Sequence, residues 1–130
     1  MANIRTASAL IRPFLPCRDR AASVRFYEAL GLTKLADGDD VTIFAAGSGG
    51  FLLTDAHPDA EDGEVMMQLM VDDLAEWWTH IERLDLPGRF GVPAPRPPAV
   101  QPWGLTVAYL VDPSGILWHV AQRRPGAIQD

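Results

Sequence analysis

Hydrophobic and polar positions follow the same order twice along this chain. A strand-like run over residues 9–17 leads to Asp19 and an amphipathic helical pattern, and a run over residues 65–71 leads to Asp73 and a similar pattern. The two copies are offset by 54 residues, the separation of Asp19 and Asp73. Self-similarity at a fixed period indicates a repeated supersecondary unit, so we expect two copies of one structural module.

The first copy continues from its helix into short strands. Asp19 can cap the helix with its carboxylate, and Gly31 suits the left-handed position that ends a helix. Residues 32–36, 41–46 and 51–54 are predicted as strands, because turns rich in Asp and Gly separate them. This half therefore has the order β-α-β-β-β.

The second copy follows the same order. Its helix starts at Leu74 with a continuous apolar stripe, and Glu76 follows Asp73 at the spacing of a capping box. The other predicted elements are a proline-rich loop over residues 86–102 with one short strand near 89–90, and a closing hairpin of strands over 105–111 and 116–122.

Together the copies predict an α+β fold with two βαβββ modules in one domain of residues 1–130. The modules are expected over about residues 8–56 and 63–122, with an acidic polar loop between them. Side chains alternate along a strand, so helices cover one face of each sheet and the other face is free. We expect the free faces to line a half-barrel cup.

Composition and charge narrow the classes of function. Apolar residues make up 48% of the chain, which is enough for a packed core. The net charge is −6 and no stripe of Lys or Arg occurs, so nucleic acid is not an expected partner. We expect no signal peptide, and no apolar run reaches the roughly 18 residues that span a membrane. The single Cys17 permits no internal disulfide, and a cytoplasmic location is the default expectation.

Three segments of the chain form a recognisable series: Leu15-Pro16-Cys17-Arg18-Asp19 with Phe26-Tyr27 and Leu30-Gly31, Val71-Asp72-Asp73-Leu74, and Trp103-Gly104 with Tyr109 and Asp112-Pro113-Ser114-Gly115. Their order and spacing resemble the vicinal oxygen chelate superfamily, which includes glyoxalase I, extradiol dioxygenases and bleomycin-resistance proteins. The resemblance runs from about residue 9 to residue 122. It implies the paired βαβββ fold and leaves the chemistry open, because this fold hosts both enzymes and binding proteins.

The resemblance also implies where a metal would bind. Metal-dependent members use four inward-pointing side chains, which correspond here to Arg12, a position near Leu53, Met66 and His119. Arg is permanently protonated, Leu has no donor, and a thioether is a poor ligand for hard divalent ions. Only His119 is a competent ligand, so we expect no metal and no other cofactor.

A set of polar, aromatic and flexible side chains is predicted to line the cup and bind a ligand. Arg12 would need an anionic partner, either a ligand or an internal acid, if its charge is buried. Aromatic walls suit planar ligands, and methionine adapts to irregular ones. The predicted ligand-binding residues are Arg12, Phe14, Met66, Gln68, Met70, Trp103, Tyr109 and His119.

The remaining candidates are assigned structural roles. Trp77, Trp78 and Trp118 are predicted to pack between helices and sheets. His80 is predicted to be solvated, and His57 to belong to a polar loop. Cys17 is predicted to be a packing residue, because nothing beside it in sequence would activate a thiol.

These observations predict a dimeric, metal-free protein that sequesters an apolar or aromatic, possibly anionic, small molecule. Sequestration needs no catalytic residue, so none is assigned. One alternative is an enzyme of glyoxalase or dioxygenase type with a displaced metal site that uses His119. Another is an interaction domain whose cup is filled by its own side chains. The predicted partners are a small molecule and a second copy of the chain.

Overall fold

Two four-stranded sheets and three helices make up the described part of the computed structural model, residues 9–55 and 65–124. The first sheet has the strand order β1-β4-β3-β2 and the second the order β5-β8-β7-β6. In each sheet the first and last strands of the module pair in parallel, and the other pairs are antiparallel. The first module contains β1 (Phe14–Pro16), α1 (Arg20–Leu30), β2 (Thr33–Asp37), β3 (Val41–Ala46) and β4 (Gly49–Thr54). The second contains β5 (Met66–Val71), α2 (Leu74–Leu84), α3 (Leu86–Phe90), β6 (Arg96–Val100), β7 (Thr106–Val111) and β8 (Leu117–Gln122).

The repeat seen in the sequence is confirmed in the helices. Asp19 caps α1 by accepting a hydrogen bond from the Ala22 backbone N–H, and Asp73 caps α2 by accepting one from Glu76. Both helices have 11 residues, and their first residues are 54 positions apart, from 20 to 74. Gly31 ends α1 with a φ of 110°, which a residue with a side chain rarely adopts. The predicted α+β fold of two βαβββ modules is therefore correct.

One core joins the two modules. The side chains on the helix-covered faces of both sheets belong to a single buried cluster. Phe51 of β4 and Trp118 of β8 are in contact across it, with ring centroids 5.5 Å apart. Trp77 and Trp78 pack at its margin, as predicted. Because the covered face of each sheet points into this shared core, the other faces point away from it.

A buried hydrogen-bond network reinforces the junction between the modules. The Tyr27 hydroxyl of α1 donates to the Asp112 carboxylate at 2.6 Å and accepts from the Trp118 indole N–H at 2.9 Å. The other Asp112 oxygen accepts from the backbone N–H groups of Ser114 and Ile116. Burial raises the pKa of Asp112, although each of these hydrogen bonds favours the carboxylate. The hairpin turn of the second module is thus fixed to the first helix.

His80 is exposed, as predicted, and it also joins the modules. Its Nε2 lies 2.8 Å from the carbonyl oxygen of Leu30, one of the terminal carbonyls that α1 cannot satisfy itself. Its ring also contacts Trp77 edge to face, with centroids 6.2 Å apart.

The segment between α2 and β7 differs from the prediction. Residues 86–90 form a short helix instead of a strand, because Asp85 adopts a left-handed conformation and its carboxylate accepts the Gly88 N–H. A strand does form later, at Arg96–Val100, where Pro97 and Pro98 are tolerated because β6 is an edge strand with an irregular register. The first strand is shorter than predicted and covers only Phe14–Pro16.

Candidate functional site

The free face of the second sheet holds most of the predicted ligand-binding residues. Gln68 of β5 is paired with His119 of β8, and His119 is paired with Tyr109 of β7. Directly paired residues project from the same face, so these three side chains form a row across three strands. No hydrogen bond joins any of the three side chains to another residue within 9–55 or 65–124, so their polar groups are available to a ligand.

Two aromatic rings lie close to His119. The Tyr109 ring contacts it edge to face, with centroids 4.7 Å apart and an interplanar angle of 71°. The centre of the Trp103 ring lies 6.3 Å from that of His119, with the two rings tilted by 30°, and Trp103 is 54% exposed. Partial burial lowers the pKa of His119, so at neutral pH its imidazole is uncharged and offers one donor and one acceptor.

Methionines and small residues extend this face. Met66 and Met70 lie two residues to either side of Gln68 on the edge strand β5, and Met66 is 62% exposed. At the other end of the face, the paired residues Val107 and Ala121 are fully buried, yet they do not belong to the main core. The face therefore combines a closed apolar end with an open polar and aromatic end.

Arg12 and Phe14 lie on the first sheet instead. Phe14 is paired with Leu52 on the free face and is 59% exposed, while Leu15 on the opposite face is buried in the core. Arg12 precedes the strand, and its Cδ is 3.6 Å from the position that a Cβ on Gly50 would occupy. The sequence prediction that Arg12, Tyr109 and His119 share one cavity stays a prediction.

The position assigned near Leu53 needs correction. Leu53 is fully buried in the core, and Leu52 is the first-module counterpart of His119, because Phe14 pairs with Leu52 as Gln68 pairs with His119. Counting from the glycine-rich turn before β4 placed the position one residue too far along the strand. Because side chains alternate along a strand, a shift of one residue puts the side chain on the opposite face. Leu52 has no donor atom either.

The donor set does not fit a divalent metal ion. Of the four positions that correspond to the metal ligands of related enzymes, only His119 has a side chain that binds such ions. Within residues 9–55 and 65–124, no three His, Cys, Asp or Glu side chains cluster closely enough to hold one. His57 lies outside the described residues.

Other features belong to the framework. Cys17 is half-buried, and burial raises the pKa of its thiol to about 11, which keeps it unreactive at neutral pH.

A cavity of about 720 Å³ lies at the start of α1, and one of about 710 Å³ lies between β5 and the β3–β4 turn. The second cavity is lined in part by Gln68 and Met70, two of the predicted ligand-binding residues, but neither cavity includes Tyr109 or His119. No helix in the described part of the chain is long and apolar enough to cross a membrane.

Arg96 is the residue of this face that the sequence prediction missed. Its strand register pairs it with Tyr109, and its guanidinium carbon lies 5.9 Å from the centre of the Tyr109 ring. The segment was predicted as loop because of its prolines. The only sequence signal for Arg96 was an arginine between two prolines shortly before an apolar strand. That signal does not show on which face of a sheet the side chain lies.

Two βαβββ modules, with an aromatic sheet face on the second, define a protein of the vicinal oxygen chelate type. Of the positions that bind metal in its enzymes, only His119 has a suitable side chain here. The family model of the Glyoxalase/Bleomycin resistance protein/Dioxygenase superfamily matches residues 9–120, and the chain belongs to this superfamily.

Individual relatives resemble the chain over most of its length. A bleomycin resistance protein of Klebsiella pneumoniae is 32% identical over 115 residues, which cover 85% of this chain and 89% of that protein. The crystal structure of a bleomycin-binding protein in complex with bleomycin is 30% identical, with a TM-score of 0.76 and coverage of 90% of this chain and 100% of the other. The bleomycin resistance determinant encoded on transposon Tn5 is 28% identical, with a TM-score of 0.74 and coverage of 90% and 99%.

Proposed function

We propose that this protein binds a small aromatic molecule without a metal, in the manner of a bleomycin-resistance protein, and that a second copy of the chain completes the binding site. The observation that carries the proposal is the row Gln68–His119–Tyr109. It presents unpaired polar groups among aromatic rings on a sheet face. Ligand pockets have this composition, a mainly apolar wall with a few placed polar groups.

The need for a second copy follows from the orientation of the sheets. Phe14 and His119 are on faces that point away from the shared core, so one chain cannot fold these two faces onto each other. Both β1 and β5 are edge strands, and such edges are normally paired or covered. Pairing β1 of one chain with β5 of another would bring the two faces together as one cup.

Exposed apolar side chains support this arrangement. Phe14, Met66 and Trp103 are each more than half exposed, and Ile11 just before β1 is 91% exposed. Ile11 and Phe14 lie at the edge strand of the first sheet and Met66 lies on the edge strand of the second, and exposed apolar surface at such edges marks an interaction site. They also disfavour a cup that is filled by side chains of its own chain.

The relatives support the same class of function. One relative is named for bleomycin resistance, and a similar structure contains bleomycin. Only one of the four positions that correspond to metal ligands has a side chain that can bind a metal. The site therefore favours a binding role over glyoxalase or dioxygenase chemistry. Sequestration requires only a closed pocket with a few polar anchors.

Ligand binding is expected to be saturable, independent of metal and dependent on Trp103. The probe is N-phenyl-1-naphthylamine, a neutral aromatic dye whose fluorescence increases in apolar surroundings. Trp103→Ala should weaken dye binding about tenfold, because it removes an aromatic wall, whereas Trp103→Phe should retain most of the affinity. Dialysis against EDTA should leave the affinity of the wild-type protein unchanged.

Elemental analysis of the purified protein measures its metal content and is the control for the EDTA experiment. About one zinc, iron, manganese or nickel per chain, together with loss of dye binding on its removal, would favour the enzyme alternative. Equal dye binding by the wild-type protein and Trp103→Ala would remove this face from the site.

A further inference from the structure

The charge on the candidate cup is opposite to the charge of the whole chain. The chain carries a net charge of −6. In the described strands, however, the residues that register places on the two free faces include no Asp or Glu. The cationic residues on these faces are Arg96 beside Tyr109, and Arg12 at the start of the first sheet.

Arg96 is placed to act on a ligand. Its guanidinium lies over Tyr109, whose ring in turn contacts His119. Contact with an aromatic ring holds an arginine in position and leaves its N–H groups at the edge free to donate. Within residues 9–55 and 65–124, no carboxylate forms an ion pair with Arg96.

The neighbouring groups do not offset this positive charge. His119 and Gln68 are uncharged at neutral pH, and the rest of the face is apolar or aromatic. A cationic ligand would be drawn to the chain by its net charge but would meet an arginine at the site. A ligand with an acidic group can form charge-assisted hydrogen bonds with the planar guanidinium.

We infer that Arg96 is a specificity-determining residue that selects planar aromatic ligands carrying a sulfonate or carboxylate group. This inference rests on the proposed function, because it assigns a ligand class to the same face. The aromatic part of the ligand would lie against Trp103 and Tyr109, and its acidic group would lie at Arg96.

Two dyes that differ by one sulfonate test the inference. 8-Anilinonaphthalene-1-sulfonate has the ring system of N-phenyl-1-naphthylamine with a sulfonate added. The wild-type protein should bind the sulfonate dye at least tenfold more tightly, and Arg96→Met should reduce that preference at least threefold while changing affinity for the neutral dye less than about twofold. Arg96→Lys, which keeps the charge but loses the planar fork, should retain part of the preference.

Arg89→Met is the matched control variant. The Arg89 guanidinium lies 5.1 Å from the centre of the Phe90 ring in α3, so it makes the same kind of contact away from the cup. This variant should bind both dyes as the wild-type protein does. A loss of sulfonate-dye affinity in Arg89→Met as large as that in Arg96→Met would overturn the inference.

The remaining outcomes separate the two proposals. Wild-type binding of the neutral dye that depends on Trp103, without any preference for the sulfonate dye, would overturn the inference and leave the proposed function intact. An equal loss of affinity for both dyes in Arg96→Met would also overturn the inference and leave the proposed function intact. Failure of the wild-type protein to bind either dye would overturn both.

Discussion

Replacing Asp112 with alanine should lower the free energy of unfolding by about 3–5 kcal/mol, because several buried donors lose their acceptor at once. The Tyr27 hydroxyl and the backbone N–H groups of Ser114 and Ile116 all donate to this carboxylate. Asp112 is 1% exposed, so water cannot replace it without opening the junction between the modules. Urea-induced unfolding at a fixed protein concentration measures the change.

Two variants make this measurement specific. Asp112→Asn keeps an oxygen that can accept from the turn, and it removes the charge that burial disfavours, so it should cost less than the alanine variant. Asp40→Ala removes an exposed carboxylate from the turn between β2 and β3 and should change stability by less than about 0.5 kcal/mol. Equal stabilities of Asp112→Ala and Asp40→Ala would show that the buried network contributes nothing.

Replacing Phe14 with aspartate should convert the expected dimer into a monomer. Phe14 is 59% exposed on the edge strand β1, where we expect the second chain to cover it. Loss of its buried surface costs about 1.5–3 kcal/mol per copy, and a twofold interface contains two copies, so the dimer should lose about 3–6 kcal/mol. The buried carboxylates would add to that loss.

Light scattering across the micromolar range measures this effect. Leu35→Asp is the control, since Leu35 is 60% exposed but lies on β2, at the far edge of the same sheet. It should leave the dimer intact. A monomeric wild-type protein, or a Phe14→Asp variant that remains dimeric, would contradict the proposed assembly.

Local signals in the sequence predicted the repeated part of the fold. Asp19 and Asp73 each cap a helix three residues from the N–H that they accept, so the cap depends only on neighbouring residues. Alternation along β1 likewise placed Phe14 and Leu15 on opposite faces. These features depend on sequence spacing alone.

The features that were missed depend on tertiary structure. Tyr27 and Asp112 are 85 residues apart, and no periodicity connects them. Arg96 lies on a strand because β6 pairs with β7, although the neighbouring prolines disfavour a strand. Leu52 and Leu53 differ only in which face they occupy, and that is fixed by the register with β1.

The central claim is that each cup is built from two chains, and subunit mixing tests it most directly. Arg12→Ala alters the free face of the first sheet, and Trp103→Ala alters the aromatic wall of the second. With 8-anilinonaphthalene-1-sulfonate as the probe, Arg12→Ala should weaken binding by about 1.5–3 kcal/mol, the range of a charged hydrogen bond. Trp103→Ala should weaken it about tenfold through loss of the ring.

A heterodimer of these two variants, purified through two different affinity tags, distinguishes a cup shared between two chains from a cup within one chain. If each cup combines the first sheet of one chain with the second sheet of the other, one cup of the heterodimer contains both changes and the other contains neither. The account predicts that about half of its sites bind the dye with wild-type affinity. A heterodimer with no wild-type site would contradict it, because each cup would then lie within a single chain.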